Sequence, residues 1–426
     1  MNHHYDIIIV GGGIAGLYSS YLIKKTNPEL SFLLLERDKK EWIGGRTGND
    51  EFYGTQVVTG AGVGRKQKDK LLVQLLKELK IKVKECPIQM NYAKTIPQVV
   101  DVPKTIAVLK KKYEEMNNQG MNNQTINNIQ TQTFSQFAKK ILGDRFYQLF
   151  TISAGYTDYE NEDVYDVLYH YGMDDNHPGW TSLLVPWKKL VSTLCDHIGW
   201  SHIRYKTTVT KVSGNNCQFI VDTNKITYTC NKIIIATNIN SVRKLVPGAE
   251  LPSSPYQQIQ GQPFLRVYGK FSKRSAAIMR KYVPYQTIVP GPLHKIIPMS
   301  NDVFMVAYTD NAGANVLKDH LENTIENREL FEEVLEKSLG IEPGELHLIA
   351  IKGYYWPIGT HYYEPLTGFK TRQEFIDRIQ HPYQGMLVVG EAVSNDQGWT
   401  EGALESVHLV LNKHWINAAS CSVKTV

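Results

Sequence analysis

The chain has 426 residues, 42% hydrophobic and 21% charged, enough for two domains sharing a cleft, which excludes a peptide, a fibre or a disordered tail. Its net charge of +5 is the balance of 47 Lys+Arg and 42 Asp+Glu spread along the sequence instead of a basic stripe, so no nucleic-acid partner is expected. Cys86, Cys195, Cys217, Cys230 and Cys421 are odd in number and form no CxxC pair, and the histidines, among them His170 and His177, show no ligand spacing; a reducing compartment, no disulfide framework and no metal are expected.

The first residues run into Ile7-Ile8-Ile9-Val10 without the basic, apolar and cleavage regions of a signal peptide, and no apolar run reaches the roughly 18 residues of a membrane helix. A soluble cytoplasmic protein without a membrane partner is therefore expected. Residues 5–10 read as a strand that passes into Gly11-Gly12-Gly13-Ile14-Ala15-Gly16 and a helix over 17–25; a second apolar strand, 31–35, then ends in Glu36. The window 117–132 holds ten Asn or Gln in sixteen residues, too polar to bury a face, and reads as a surface loop. Helical spacing marks 133–153 and 181–197. Strand patterns follow at 203–212, 218–221, 232–237, 263–271 and 301–309, and a last buried strand at 386–389 closes on Gly390-Glu391 before a helix over 401–413. The expected division is a nucleotide-binding domain from 1–80, 203–255 and 381–426, with 81–202 and 256–380 forming an inserted substrate domain.

Gly11, Gly13 and Gly16 have the spacing of a pyrophosphate turn: one permits a sharp bend, one lets backbone approach phosphate, and one lets helix pack on strand. Glu36, 20 positions after Gly16, stands where a carboxylate accepts hydrogen bonds from ribose hydroxyls and repels a 2′-phosphate, so NADP is excluded. Trp42-Ile43-Gly44-Gly45-Arg46-Thr47 adds two glycines for close backbone approach and a fixed charge for phosphate. Gly390-Glu391 and Gly398-Trp399-Thr400-Glu401-Gly402-Ala403 complete the pattern at the C-terminal end.

These three ordered motifs resemble the flavin-containing amine oxidase family, strongly at both ends of the chain and weakly between them. The resemblance implies an α/β fold, in which a discontinuous, three-layer Rossmann-like FAD-binding domain carries an inserted α+β substrate domain. It also implies FAD, with expected contacts at Gly11, Gly13, Ile14, Ala15, Gly16, Glu36, Arg37, Gly44, Gly45, Arg46, Gly60, Ala61, Val209, Gly390, Glu391, Thr400 and Ala403. A helix beginning near Glu401 would point its positive end at the flavin pyrimidine. No cysteine lies between Cys230 and Cys421, so the flavin is expected to be non-covalent.

The family places an aromatic cage over the flavin, which implies Trp399 for one wall and His361, Tyr362 or Tyr363, within Tyr354-Tyr355-Trp356-Pro357-Ile358-Gly359-Thr360-His361-Tyr362-Tyr363, for the other. Arg266 stands where the family has a lysine near flavin N5, with Lys270 as the alternative four residues on; an arginine there puts efficient use of oxygen in question. The implied reaction is oxidative deamination: hydride transfer to flavin N5, imine hydrolysis, and release of hydrogen peroxide with oxygen as acceptor. Five acids in nine residues, 158–166, would attract a polyamine if they border the entrance; a solvated face or helix cap is the competing reading. Two other functions remain open: a C–C desaturase of the carotenoid or protoporphyrinogen oxidase type, and a flavoprotein-like binding module without catalysis.

Overall fold

The computed structural model describes residues 3–120, 132–171, 173, 178–215 and 218–418. Ile7, Ile8, Ile9 and Val10 of strand β1 (His4–Val10) are all buried. Successive strand side chains point to opposite faces, so a run apolar at every position needs cover on both sides. Ile7 and Ile9, with Leu34 of β2 (Phe32–Leu35), pack against Leu17 of helix α1 (Ile14–Thr26), Leu194 of Trp187–Ile198 and Leu404 of Thr400–Val410. Ile8, Val10, Leu33 and Leu35 pack the opposite way, against Val242, Phe375 and Ile379. Helix, sheet and a second layer result.

The sheet order is Val209–Asn215, Gln218–Thr223, Thr227–Ile235, β1, β2 and Ile203–Arg204. Met386–Val388 pairs in parallel with residues 233–235. The β1–α1–β2 unit is parallel, with Ile7 opposite Phe32. Helix α1 ends at Thr26 because Asn27, just before Pro28, is pushed into extended conformation.

A second sheet runs in the order Leu348–Tyr363, Ile259–Phe271, Val303–Asp310, Lys295–Pro298, Gln286–Ile288 and Met90–Tyr92. Leu265 and Val267 turn to the helices Lys273–Tyr282 and Ile325–Leu339, whose Met279, Phe331 and Leu335 complete that core. The alternate residues Phe264 and Arg266 face a cavity. Beside this sheet, Val102–Gly120, Phe134–Leu142 and Asp144–Ala154 form a helical layer around Tyr113, Phe137, Phe150 and Tyr159.

Several expected elements differ in detail. The helical stretch 133–153 is two helices parted at Gly143, which adopts φ +78°. Residues 181–197 begin as the strand Thr181–Leu184, and Pro186 then caps the helix Trp187–Ile198. The Asn/Gln window starts inside the helix Val102–Gly120; residues 121–131 lie outside the described residues, as do His177, Cys217 and Cys421. Cys86, Cys195 and Cys230 are free thiols, and among the described residues no helix is long and apolar enough to cross a membrane.

Leu34 is fully buried in β2, between β1 and the short edge strand Ile203–Arg204. Leu34→Ala is expected to lower unfolding free energy by about 2–5 kcal/mol in a urea titration, and a loss under about 1 kcal/mol would contradict this packing.

Candidate active site

The Gly-rich turn leaves no freedom at two of its glycines. A Cβ on Gly11, which has φ +105°, would sit 2.4 Å from the Ala236 carbonyl oxygen, and one on Gly16 would sit 1.9 Å from that of Gly11. Gly13 is different: a Cβ there would meet nothing within 4 Å, because it faces the cavity. Gly13 is also the N-cap of α1, with no side-chain cap and no acid in the first turn. The free N–H groups and positive end of α1 are thus presented to the cavity.

Gly44 and Gly45 lie opposite: Gly44 N–H donates to Gly12 O at 2.9 Å, and a Cβ on Gly45 would approach only the Gly13 Cα. The buried carboxylate of Glu36 lines the cavity and accepts Gly12 N–H at 2.6 Å and Asp38 N–H at 2.8 Å. Its remaining lone pairs are available to a diol. Arg37 and Val209 line the same end.

Glu391 organises the next part of the cavity. One carboxylate oxygen accepts the backbone N–H groups of His361 and Gly398, both at 2.8 Å. The other meets His361 Nδ1 at 2.6 Å and Arg46 Nη1 at 3.1 Å. Ile239 N–H donates to His361 Nε2, so Nδ1 carries the ring proton that points at Glu391. Burial pushes the Glu391 carboxyl up, but His361, Arg46 and the hydrogen bonds outweigh it and hold the group at about 2. Arg46 also donates to Gly359 O at 2.7 Å.

The helix Thr400–Val410 begins at the cavity wall, where Thr400 and Ala403 line it. Its first-turn acid, Glu401, does not neutralise that end. Instead the carboxylate accepts Leu71 N–H at 2.8 Å and Leu72 N–H at 2.9 Å, so it caps α2 (Lys70–Glu78) and leaves its own helix uncapped.

The same cavity, about 1970 Å3, continues past Gly60, Ala61 and Gly62 to walls of Phe264, Tyr308, Trp356 and Trp399. A strap, residues 58–62, is pinned by four side chains. Tyr268 hydroxyl donates to Val58 O at 2.7 Å, Trp356 Nε1 to Thr59 O at 2.7 Å, Arg266 Nη1 to Gly60 O, and Trp187 Nε1 to Gly62 O at 3.1 Å. Trp399 lies under the Arg65 guanidinium, 3.9 Å from its ring centre, and Arg65 is itself held by Asp69 and Asp396.

The cavity brings together all the expected dinucleotide contacts except Gly16, which packs beneath the turn, and also Arg266 and Trp399. It does not bring in four others. His361 is spent on Glu391 and Ile239. Tyr363 is buried behind the strand, its hydroxyl on Ser394 O at 2.9 Å and its ring edge-on to Phe375. Lys270 shares the face of Arg266 but lies about 13 Å farther along the strand, on Asn301 O and near Asp302. Tyr362 is half-buried off the cavity wall. The wall they were expected to form is Trp356, with Phe264 and Tyr308. The i, i+2 spacing of Phe264 and Arg266 on one strand was the available signal for Phe264.

The acidic run 158–166 is mostly structural. Glu160 accepts the Tyr147 hydroxyl, Asp163 caps a helical turn, Asp166 pairs with Arg372 at 2.6 Å, and Glu162 is buried, its carboxyl pushed well up by that burial. Only Asp158 of these acids lines the cavity, with its carboxylate accepting Tyr171 OH at 2.8 Å.

Residues 9–79 match the NAD(P)-binding Rossmann-like domain family. An uncharacterized protein of Acanthamoeba polyphaga mimivirus is 21% identical over 486 aligned positions, covering 96% of this chain and 94% of that protein. A redesigned double mutant of putrescine oxidase superposes with a TM-score of 0.74 at 14% identity, over 98% of this chain and 100% of that one. Cyclohexylamine oxidase from Brevibacterium oxydans gives 0.71 at 16% identity, over 97% and 98%. The chain has the flavin amine oxidase fold. The Rossmann match covers the α1 cradle, whereas the amine oxidase likeness extends through the strap, the aromatic walls and Gly390–Ala403.

Because the Glu391 carboxyl is depressed, its stabilising effect is complete above the unfolded value near 4.5 and is lost as pH falls through about 2. Glu391→Gln should cost on the order of 3 kcal/mol at pH 7. Denaturant titrations at stepped pH should show the gap between wild type and variant closing between pH 5 and pH 2, and a pH-independent gap would contradict the assignment.

Proposed function

We propose that the chain is an FAD-dependent amine oxidase that oxidises the C–N bond of a small amine. The observation that carries this reading is the continuity of one cavity from the uncapped start of α1 to the aromatic walls. At about 1970 Å3 it exceeds the roughly 300–1,000 Å3 of an ordinary small-molecule site, leaving room for a dinucleotide and a substrate together. The division proposed is a dinucleotide domain from 1–80, 203–255 and 381–426 and a substrate domain from 81–202 and 256–380.

The residues present fit FAD. Gly13 and Gly45 leave space where a pyrophosphate would meet the α1 N–H groups, Glu36 offers acceptors to ribose hydroxyls, and Val209 borders the adenosine end. Gly390 and the Glu391 network would hold the ribityl chain, and the uncapped helix at Thr400 would face the flavin pyrimidine. No residue of the cavity walls at 60–63, 356–360 or 398–403 is a cysteine, which supports non-covalent binding. When bound, FAD supplies a two-electron acceptor for the hydrogen on the amine's α-carbon.

The chain's own groups do the rest. Trp399, stacked on Arg65, and Trp356, hydrogen-bonded to Thr59, are rigid walls that orient the substrate and exclude water. Arg266 fixes the strap at Gly60. The imine formed is hydrolysed by water, and oxygen accepts the electrons as hydrogen peroxide. The charge argument for a polyamine weakens, because most of the acidic run is consumed by buried contacts.

The test is the visible spectrum of purified protein before and after anaerobic addition of putrescine, cyclohexylamine and 2-phenylethylamine. The flavin band should be present and be bleached by at least one amine. No band after FAD is supplied, or a band unchanged by these amines and by amino acids alike, would contradict the reading.

A further inference from the structure

Three arginines are almost fully buried: Arg65, Arg266 and Arg372 are 5%, 5% and 7% exposed. Two of them have carboxylates on either side. Arg65 pairs with Asp69 at 2.8 Å and Asp396 at 2.9 Å, and Arg372 pairs with Asp166 at 2.6 Å and lies 3.8 Å from Asp163. Arg266 has none among the described residues. Its Nη1 donates to the neutral Gly60 carbonyl, its Nε has no acceptor, and its guanidinium lies over the rings of Tyr308, at 4.4 Å, and Phe264, at 5.6 Å.

Taking a guanidinium out of water is costly unless an anion compensates it, and aromatic faces offer only partial compensation. Here the uncompensated charge stands in the cavity wall. A flavin ring is uncharged when oxidised and does not neutralise it, so the missing anion belongs to whatever shares the cavity. The cavity lining also includes the apolar side chains of Ile88, Trp180, Leu184, Ile297, Met299 and Met305, together with Gln89, Tyr285 and Gln286. These side chains suit an apolar body, and the carboxylate of Asp158 in the same lining already accepts the Tyr171 hydroxyl.

We propose that the amine oxidised in this cavity is an amino acid with an apolar side chain, its carboxylate seated on Arg266 and its side chain against that apolar lining. This rests on the amine oxidase reading above. The α-carbon gives up its hydrogen with two electrons and the nitrogen gives up a proton, leaving an imino acid. Water converts it to a 2-oxo acid and ammonia, and oxygen takes the two electrons and two protons as hydrogen peroxide. A carboxylate on the guanidinium also fixes the α-carbon near the strap, as charge-assisted pairs to arginine are short and directional.

The test uses the FAD-loaded protein and two readouts. In the first, L-leucine and L-phenylalanine are mixed anaerobically with it and compared with 3-methylbutylamine and 2-phenylethylamine, which lack the carboxylate; the amino acids should bleach the flavin at lower concentration. In the second, calorimetry follows binding of 3-phenylpropanoate, which has the carboxylate and no reactive C–N bond. It should bind the wild type, and Arg266→Gln should weaken it about 10- to 100-fold, with Arg266→Lys retaining part of the affinity. If the variants do not fold, the wild type's preference for 3-phenylpropanoate over uncharged 3-phenylpropanol carries the same test. Bleaching by the two simple amines alone overturns the proposal and leaves the oxidase reading standing. Equal binding of 3-phenylpropanoate to wild type and Arg266→Gln, or of the acid and the alcohol to the wild type, overturns it as well. Bleaching by none of the four overturns the oxidase reading and the proposal with it.

Discussion

One buried carboxylate joins parts of the chain that are far apart in sequence. Glu391 gathers Arg46 from the Gly44-Gly45-Arg46 turn, His361 from the long strand of the second sheet, and the Gly398 N–H ahead of the helix Thr400–Val410. His361 passes the constraint on to Ile239, at the start of another helix. The turns that leave space for a dinucleotide, at Gly45 and Gly390, and the loop that carries Trp399 are therefore all held by one charge. A buried carboxylate with four donors is strongly held, and losing any donor leaves the others with an uncompensated site.

The second constraint is mechanical. Residues 58–62 line the cavity with their carbonyls held by Tyr268, Trp356, Arg266 and Trp187, which come from the long strands of the second sheet and from the helix Trp187–Ile198. Side chains from the second sheet and from that helix thus fix a backbone strap that has little side-chain bulk of its own. The glycines at 60 and 62 are what allow that: a Cβ on Gly60 would strike the Arg46 carbonyl oxygen at 2.1 Å.

Much of this was legible in the sequence where the physics is local. Parallel strands covered on both faces leave apolar runs such as residues 7–10 and 32–35, and the glycine spacing with Glu36 follows from phosphate and ribose geometry. What depends on register was not legible. In Leu348–Tyr363 the side chains alternate, and which set meets the cavity depends on how that strand pairs with Ile259–Phe271. Trp356, Ile358 and Thr360 face it, so His361 and Tyr363 face away. The acidic run failed for another reason: a count of carboxylates does not reveal that Asp166 has a buried arginine partner 206 positions later in the chain. That Arg266 has no such partner among the described residues was equally invisible before the fold was known.

The central claim is that the cavity is a cradle for FAD, against the broader NAD(P) label of the Rossmann match. It is tested most directly by titrating nucleotide-free protein with FAD and following the quenching of flavin fluorescence, then repeating the titration in the presence of excess NAD. The account predicts one FAD per chain, bound at about 1 μM or tighter and undisturbed by NAD. Saturable binding of NAD that displaces FAD, or no FAD binding at all, would contradict it.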